Sequence, residues 1–149
     1  MKEEYVSYEC AVKLKELGFD WGVNSCYIIN KIFNIPHLQH YTNKEKWNTA
    51  KIGGSKYKYT HISAPRLDQA QAWLRDKGIH ISVNLYMDYD VDADGELYNE
   101  YPSWSFELMD VASAEFMNDA EGKHDSYESA LSTGIDKALE LLTVKLNKQ

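Results

Sequence analysis

SAPRLDQAQAWLRDKG (Ser63–Gly78) runs directly into IHISVNLYM (Ile79–Met87), and the period of the apolar residues changes at the junction. In the first part Leu67, Ala70 and Leu74 recur at helical spacing with Trp73 alongside. Pro65 falls in the first turn, where its missing N–H costs nothing, and Asp68 lies near the positive end of the helix dipole. Ser63 or Ala64 is placed to cap, and Gly78 stops the helix. The second part alternates apolar and polar residues with period two, as a strand with one face on a core does. A helix that hands over at once to a half-buried strand predicts an α+β protein.

The flanks extend this pattern. Toward the C-terminus, the turn-rich Asp90–Glu96 leads into a second run, Leu97–Leu108, expected to pair with the first as an antiparallel hairpin and to break at Pro102. The last helix is the clearest element: Asp125 or Ser126 caps it, Glu128 is placed to complete a capping box from Asp125, and Tyr127, Leu131, Ile135, Ala138 and Leu142 share one face. Gly134 in its middle costs about 1 kcal/mol relative to alanine, so it is expected where a neighbouring backbone comes close. Toward the N-terminus, Val6, Cys10, Leu14 and Leu17 predict a helix over 5–17 with Gly18 as its stop. Residues 19–24 read as a loop and 26–33 as a strand ending before Pro36. No period is clear from 37 to 55; Gly53-Gly54-Ser55 marks a turn, and 56–62 alternates as a half-exposed strand. The expectation is a single α+β domain over 1–149, a mostly antiparallel sheet with helices packed on one face.

Composition narrows the class. With 44% hydrophobic and 13% aromatic residues, the chain is far from the compositions that stay disordered. No apolar run approaches the roughly 18 residues of a membrane span, and Met1-Lys2-Glu3-Glu4 opens with acids rather than a signal core, so a cytoplasmic protein with no membrane contact is expected. Cys10 and Cys26, on a predicted helix and strand, read as buried free thiols. The formal charge of −7 is unevenly distributed: residues 86–128 hold thirteen acids and one base, Lys123, while residues 1–85 hold twelve bases and eight acids. Such asymmetry steers charged partners.

Several constellations carry possible chemistry. Asp90-Val91-Asp92-Ala93-Asp94-Gly95 matches the first six positions of a calcium loop, with acids at one, three and five and glycine at six, and Leu97 supplies the apolar eighth position. The match fails at position twelve, which is Tyr101, and the flanks read as strands; an acidic hairpin tip is the plainer account. Calcium at Asp90, Asp92 and Asp94 is therefore a weak expectation. Lys46, Trp47, Lys56, Tyr57 and Lys58 offer the cations and rings that single-stranded nucleic acid needs, but alternating Lys and Tyr also describes a half-buried strand, and the acidic half of the chain disfavours nucleic acid. A winged-helix reading is opposed by its acidic wing tip; an acidic face that imitates DNA accords better with the charge. His37 and His40 would share one helical turn as a zinc pair, without a third ligand at suitable spacing. Asp110 with Glu121-Gly122-Lys123 is similar to the carboxylate–lysine set of metal-dependent nucleases, yet lies in a predicted loop. No serine elbow, glycine-rich phosphate loop or Cys–His pair is present, so no catalytic residue is assigned.

Ser63-Ala64-Pro65 followed by Gln69-Ala70-Gln71-Ala72-Trp73-Leu74-Arg75 and the strand Ile79-His80-Ile81, together with Tyr127-Glu128-Ser129-Ala130-Leu131, Gly134-Ile135 and Ala138–Leu142, resembles small uncharacterised proteins of bacteria and their phages or prophages. These share a "SAP…AQ.WLR" helix and a "YE.AL..GI..AL.L" final helix. The resemblance covers about a third of the chain and implies a shared scaffold, with no site residues attached. The functional expectation is a non-enzymatic binding or accessory module of phage or prophage origin that meets a protein partner through an aromatic, charge-asymmetric surface. The alternative is a metal-dependent hydrolase using the hairpin carboxylates. A cleft placing His61 or His80 beside two or more of Asp88, Asp90 and Asp92 would favour the hydrolase; a flat acidic face would favour the module.

Overall fold

The computed structural model describes residues 4–30, 32–49, 59–119 and 122–149. Nine elements follow in order: α1 (Tyr8–Glu16), β1 (Val23–Asn30), β2 (Pro36–Glu45), β3 (Tyr59–Ser63), α2 (Leu67–Asp76), β4 (Ile79–Val91), β5 (Leu97–Asp110), β6 (Glu115–Asn118) and α3 (Tyr127–Asn147). The chain is an α+β protein whose strands form two antiparallel three-stranded sheets, ordered β2-β1-β3 and β4-β5-β6. Its contacts divide it into two compact units, Met1–Trp73 with Leu142–Gln149, and Leu74–Leu141.

In the first unit, Ser7 caps α1 by accepting the Cys10 N–H at 3.1 Å, and Gly18 takes the left-handed conformation (φ 87°) that ends it. Cys10, Ala11 and Leu14 are buried, and the Tyr27 hydroxyl donates to the Val6 carbonyl at 2.8 Å, tying β1 to the segment before α1. β1 begins at Val23 rather than Cys26 and ends at Asn30. β2 occupies part of the stretch without a legible period, because seven of its ten residues, Tyr41–Glu45 among them, are exposed. Ser63 does not cap α2: it closes β3 opposite Cys26. The start of α2 is held instead by Gln69, whose Oε1 accepts the Arg66 N–H at 3.0 Å. Neither cysteine forms a disulfide, and both are buried.

In the second unit, β4 and β5 pair along their length, Ile79 opposite Asp110 and Val91 opposite Leu97. Pro102 does not break β5. The N–H of Trp104, two residues on and so on the same edge, points away from β4 to the His124 carbonyl at 3.0 Å. Pro102 therefore lacks its donor on the side where no strand of the sheet lies, the position sheets tolerate. β6, short and exposed, pairs Glu115–Asn118 with the far end of β5.

Ser126 is the cap of α3: its Oγ accepts the Ser129 N–H at 3.1 Å and its carbonyl the Ala130 N–H. Ala130, Leu131, Ile135, Ala138 and Leu139 are buried, whereas Tyr127 is partly exposed. Gly134 marks a close approach to side chains rather than to backbone. A Cβ there would lie 3.0 Å from Ile81 Cγ2 and 3.2 Å from Phe106 Cγ. Replacing Gly134 by valine is expected to destabilise the protein by about 1–3 kcal/mol despite the gain in helix propensity, because both neighbours are packed core residues. Urea denaturation of the variant checks this; an unchanged or raised midpoint would show that the seam has slack.

Candidate functional site: the distal β4–β5 hairpin

Alternation along β4 sends Ile79, Ile81, Val83, Leu85, Met87, Tyr89 and Val91 to one face. Ile79 and Ile81 are buried, with Gly134 of α3 packed against Ile81. Beyond Val83 the row emerges from this cover: Leu85 is 55% exposed, Val91 60%, and Leu97, opposite Val91, 64%. Met87 and Tyr89 between them are also exposed. Trp104, opposite Leu85, stands at the border with its ring edge-on to Tyr127 at 5.7 Å. The apolar face thus runs on into solvent.

The hairpin holds its own shape here. Asn99 adopts φ 51° at the register shift between Tyr89 and Asp90, and its Nδ2 donates to Asp90 Oδ2 at 2.8 Å. At the tip, Asp92 Oδ1 accepts the N–H groups of Asp94 and Glu96, both at 2.9 Å, and Gly95 takes φ 84°. The Tyr89 hydroxyl donates to Glu100 Oε1 at 2.9 Å, and this bond raises the Tyr89 pKa above its ordinary value. On the reverse face Lys123 Nζ lies 2.8 Å from Asp88 Oδ2. That contact, with the Tyr89 N–H, holds the Asp88 carboxyl below the usual range and raises Lys123.

The acids proposed for calcium do not converge. One oxygen of Asp92 accepts the turn's own N–H groups and one of Asp90 accepts the Asn99 amide, and no group of three His, Cys, Asp or Glu side chains among the described residues is disposed to hold a metal. His80 shares β4 with Asp88 but lies eight residues away, about 26 Å along a strand, so the two form no common cleft. His37 and His40 lie on a strand, not a helical turn, and their odd spacing sends them to opposite faces; His40 Nδ1 is 2.8 Å from Ser25 Oγ. Asp110 is buried in β5 and accepts the Ala112 N–H, while Glu121 lies outside the described residues.

In the nucleic-acid stretch, Trp47 is buried rather than displayed. Its Nε1 donates to the Val23 carbonyl at 2.9 Å, and its ring packs on Tyr41 (4.6 Å) and His61 (6.0 Å). Burial lowers the His61 pKa. Burial also pushes the Cys26 thiol up to about 11, so it is inert as a nucleophile at neutral pH. Lys46 is exposed, 3.9 Å from Asp20. Lys56, Tyr57 and Lys58 lie outside the described residues.

Sequence reasoning missed Asp119 and His124, whose carboxylate and ring meet at 2.6 Å. The only signal was an acid and a histidine five apart in a loop, which has no characteristic spacing. No family model, no curated protein and no solved structure matches this chain. Among the described residues no helix is long and apolar enough to cross a membrane.

The Asp88–Lys123 pair yields a titration test. The folded-state value of Asp88 lies below the ordinary carboxylate value of about 3.9, so the pair stabilises the fold above that pH and the contribution is lost as pH falls through the folded value. Replacing Lys123 by methionine should move the Asp88 midpoint up toward 3.9, read by carbon NMR of the carboxyl. An unmoved midpoint would mean that Lys123 does not set it.

Proposed function

We propose that the chain is a non-enzymatic binding or accessory module of phage or prophage origin, and that the distal β4–β5 hairpin is its contact surface for a protein partner. The observation that carries the reading is the apolar row Leu85, Met87, Tyr89 and Val91 with Leu97, which continues the core face of β4 into solvent. Single exposed apolar residues are ordinary, but a contiguous ordered row is what interfaces present. The hairpin is braced by its own turn and cross-strand bonds, so little ordering entropy is lost when a partner covers it. Asp94, Glu96 and Glu100 rim the row with negative charge. The complementary partner is a protein with an apolar groove bordered by Lys and Arg, and the rim would speed its encounter. The resemblance of α2 and α3 to proteins of bacteria and their phages supports the accessory role.

Affinity capture from a bacterial lysate, with wild-type protein beside the Leu85→Ser/Val91→Ser/Leu97→Ser variant and the Asp94→Lys/Glu96→Lys variant, tests the reading. All three substituted apolar positions are exposed, so circular dichroism should show the fold retained. The apolar variant should weaken capture by at least about tenfold, and the charge variant should slow association and flatten its salt dependence. Undiminished capture by the apolar variant would overturn the assignment.

A further inference from the structure

A separate cavity of about 460 Å³ lies within the second unit, with Phe106, Leu108 and Met117 as its apolar lining and Asp119, His124 and Thr133 as polar lining. We infer that this cavity is a binding site for a small aromatic or alicyclic molecule that carries one hydrogen-bond donor, a hydroxyl or an amine. The volume lies in the range of small-molecule sites, which are mostly apolar with a few oriented polar groups.

The donor requirement follows from the protons. An ionised carboxylate only accepts, so the 2.6 Å contact between Asp119 Oδ2 and His124 Nε2 places a proton on Nε2. At a pH where the ring is neutral, this leaves the lone pair on Nδ1. Nδ1 has no hydrogen-bond partner among the described residues, and the side chain is 14% exposed. Thr133 donates its hydroxyl proton to the Ser129 carbonyl at 3.1 Å, so its oxygen too offers only acceptance to the cavity. Among the described lining residues the one cation, Lys137, is engaged by Glu140 at 3.1 Å. Two carboxyl groups, Asp119 and Glu140, line the cavity against this one ammonium, so an acidic ligand is disfavoured, whereas a hydroxyl or ammonium meets acceptors.

The dyad is rigidly mounted. His124 exchanges both backbone hydrogen bonds with Trp104 at 3.0 Å, and the Asp119 N–H donates to the Phe106 carbonyl at 3.1 Å. The imidazole also packs on the Phe106 ring, 6.1 Å between centroids. Such fixing of ring and tautomer is what an oriented recognition group needs.

The full chain is titrated with 4-ethylphenol and, separately, with 4-ethylanisole, which keeps the shape but lacks the donor. Histidine side-chain nitrogen NMR and calorimetry are the readouts. The phenol should bind at millimolar concentration or better and shift the His124 Nδ1 resonance, and the anisole should bind at least tenfold more weakly. The His124→Phe and Thr133→Leu variants should each lose the phenol; the second leaves the dyad in place and fills space, so it guards against a folding artefact in the first. Equal binding of both probes, no binding of the phenol, or full binding by a folded Thr133→Leu variant would each overturn the inference.

Discussion

The approach of α3 to β4 and β5 at Gly134 is the constraint from which the second unit follows. With no Cβ at this position, the helix settles against Ile81 and Phe106, and a single added carbon would sit 3.0 Å from one and 3.2 Å from the other. That closeness lets Leu131, Ile135 and Ala138 bury the near rows of the sheet. It also fixes where cover ends. β4 spans about 43 Å at 3.3 Å per residue, while residues 127–141 of α3 span about 22 Å at 1.5 Å per residue. One face of one strand therefore has two environments: core from Ile79 to Ile81, and solvent from Leu85 onward.

The uncovered half must hold its register without a core, and its acids serve that end. Asp92 organises the tip, Asp90 fastens the bulge through Asn99, Glu100 receives Tyr89, and Asp88 is drawn to Lys123. The sequence pattern Asp-x-Asp-x-Asp-Gly thus has a local explanation in turn formation: aspartate accepts N–H groups two and four residues ahead, and glycine supplies the positive φ. The same acids leave their net negative charge at the rim of the exposed apolar row, which turns a structural device into an electrostatic one.

The three helices and the β4–β5 pairing were legible because their periods, 3.6 and 2, survive wherever one side of an element is buried. β2 and β6 were not, since strands exposed on both faces carry no alternation: Tyr41–Glu45 and Glu115–Asn118 are polar or apolar without regard to side. Ser63 and Pro102 misled for opposite reasons. Ser63 has the chemistry of a cap but lies within reach of the Cys26 pairing, so the ladder takes it; Pro102 has the chemistry of a break but faces an empty edge. At the candidate site, the alternation of Leu85–Val91 was visible while its exposure was not, because an identical pattern describes a core strand. What decides between them is the length of helix lying over it, a tertiary quantity.

The exposed row and the Asp119–His124 cavity share a mount in β5. Trp104 lies opposite Leu85, the first exposed residue of the row, and its backbone is bonded to His124; its neighbour but one, Phe106, accepts from Asp119 and packs on the imidazole. A partner pressing on Leu85 and a ligand hydrogen-bonded to His124 would therefore act on adjacent residues of one strand. Proximity alone is not coupling, which requires an element with two arrangements that both sites bias. Here the strand is held by continuous pairing to β4 on one side and by the His124 and β6 pairings on the other, so it behaves as a single braced support. Such a support carries both surfaces on one strand.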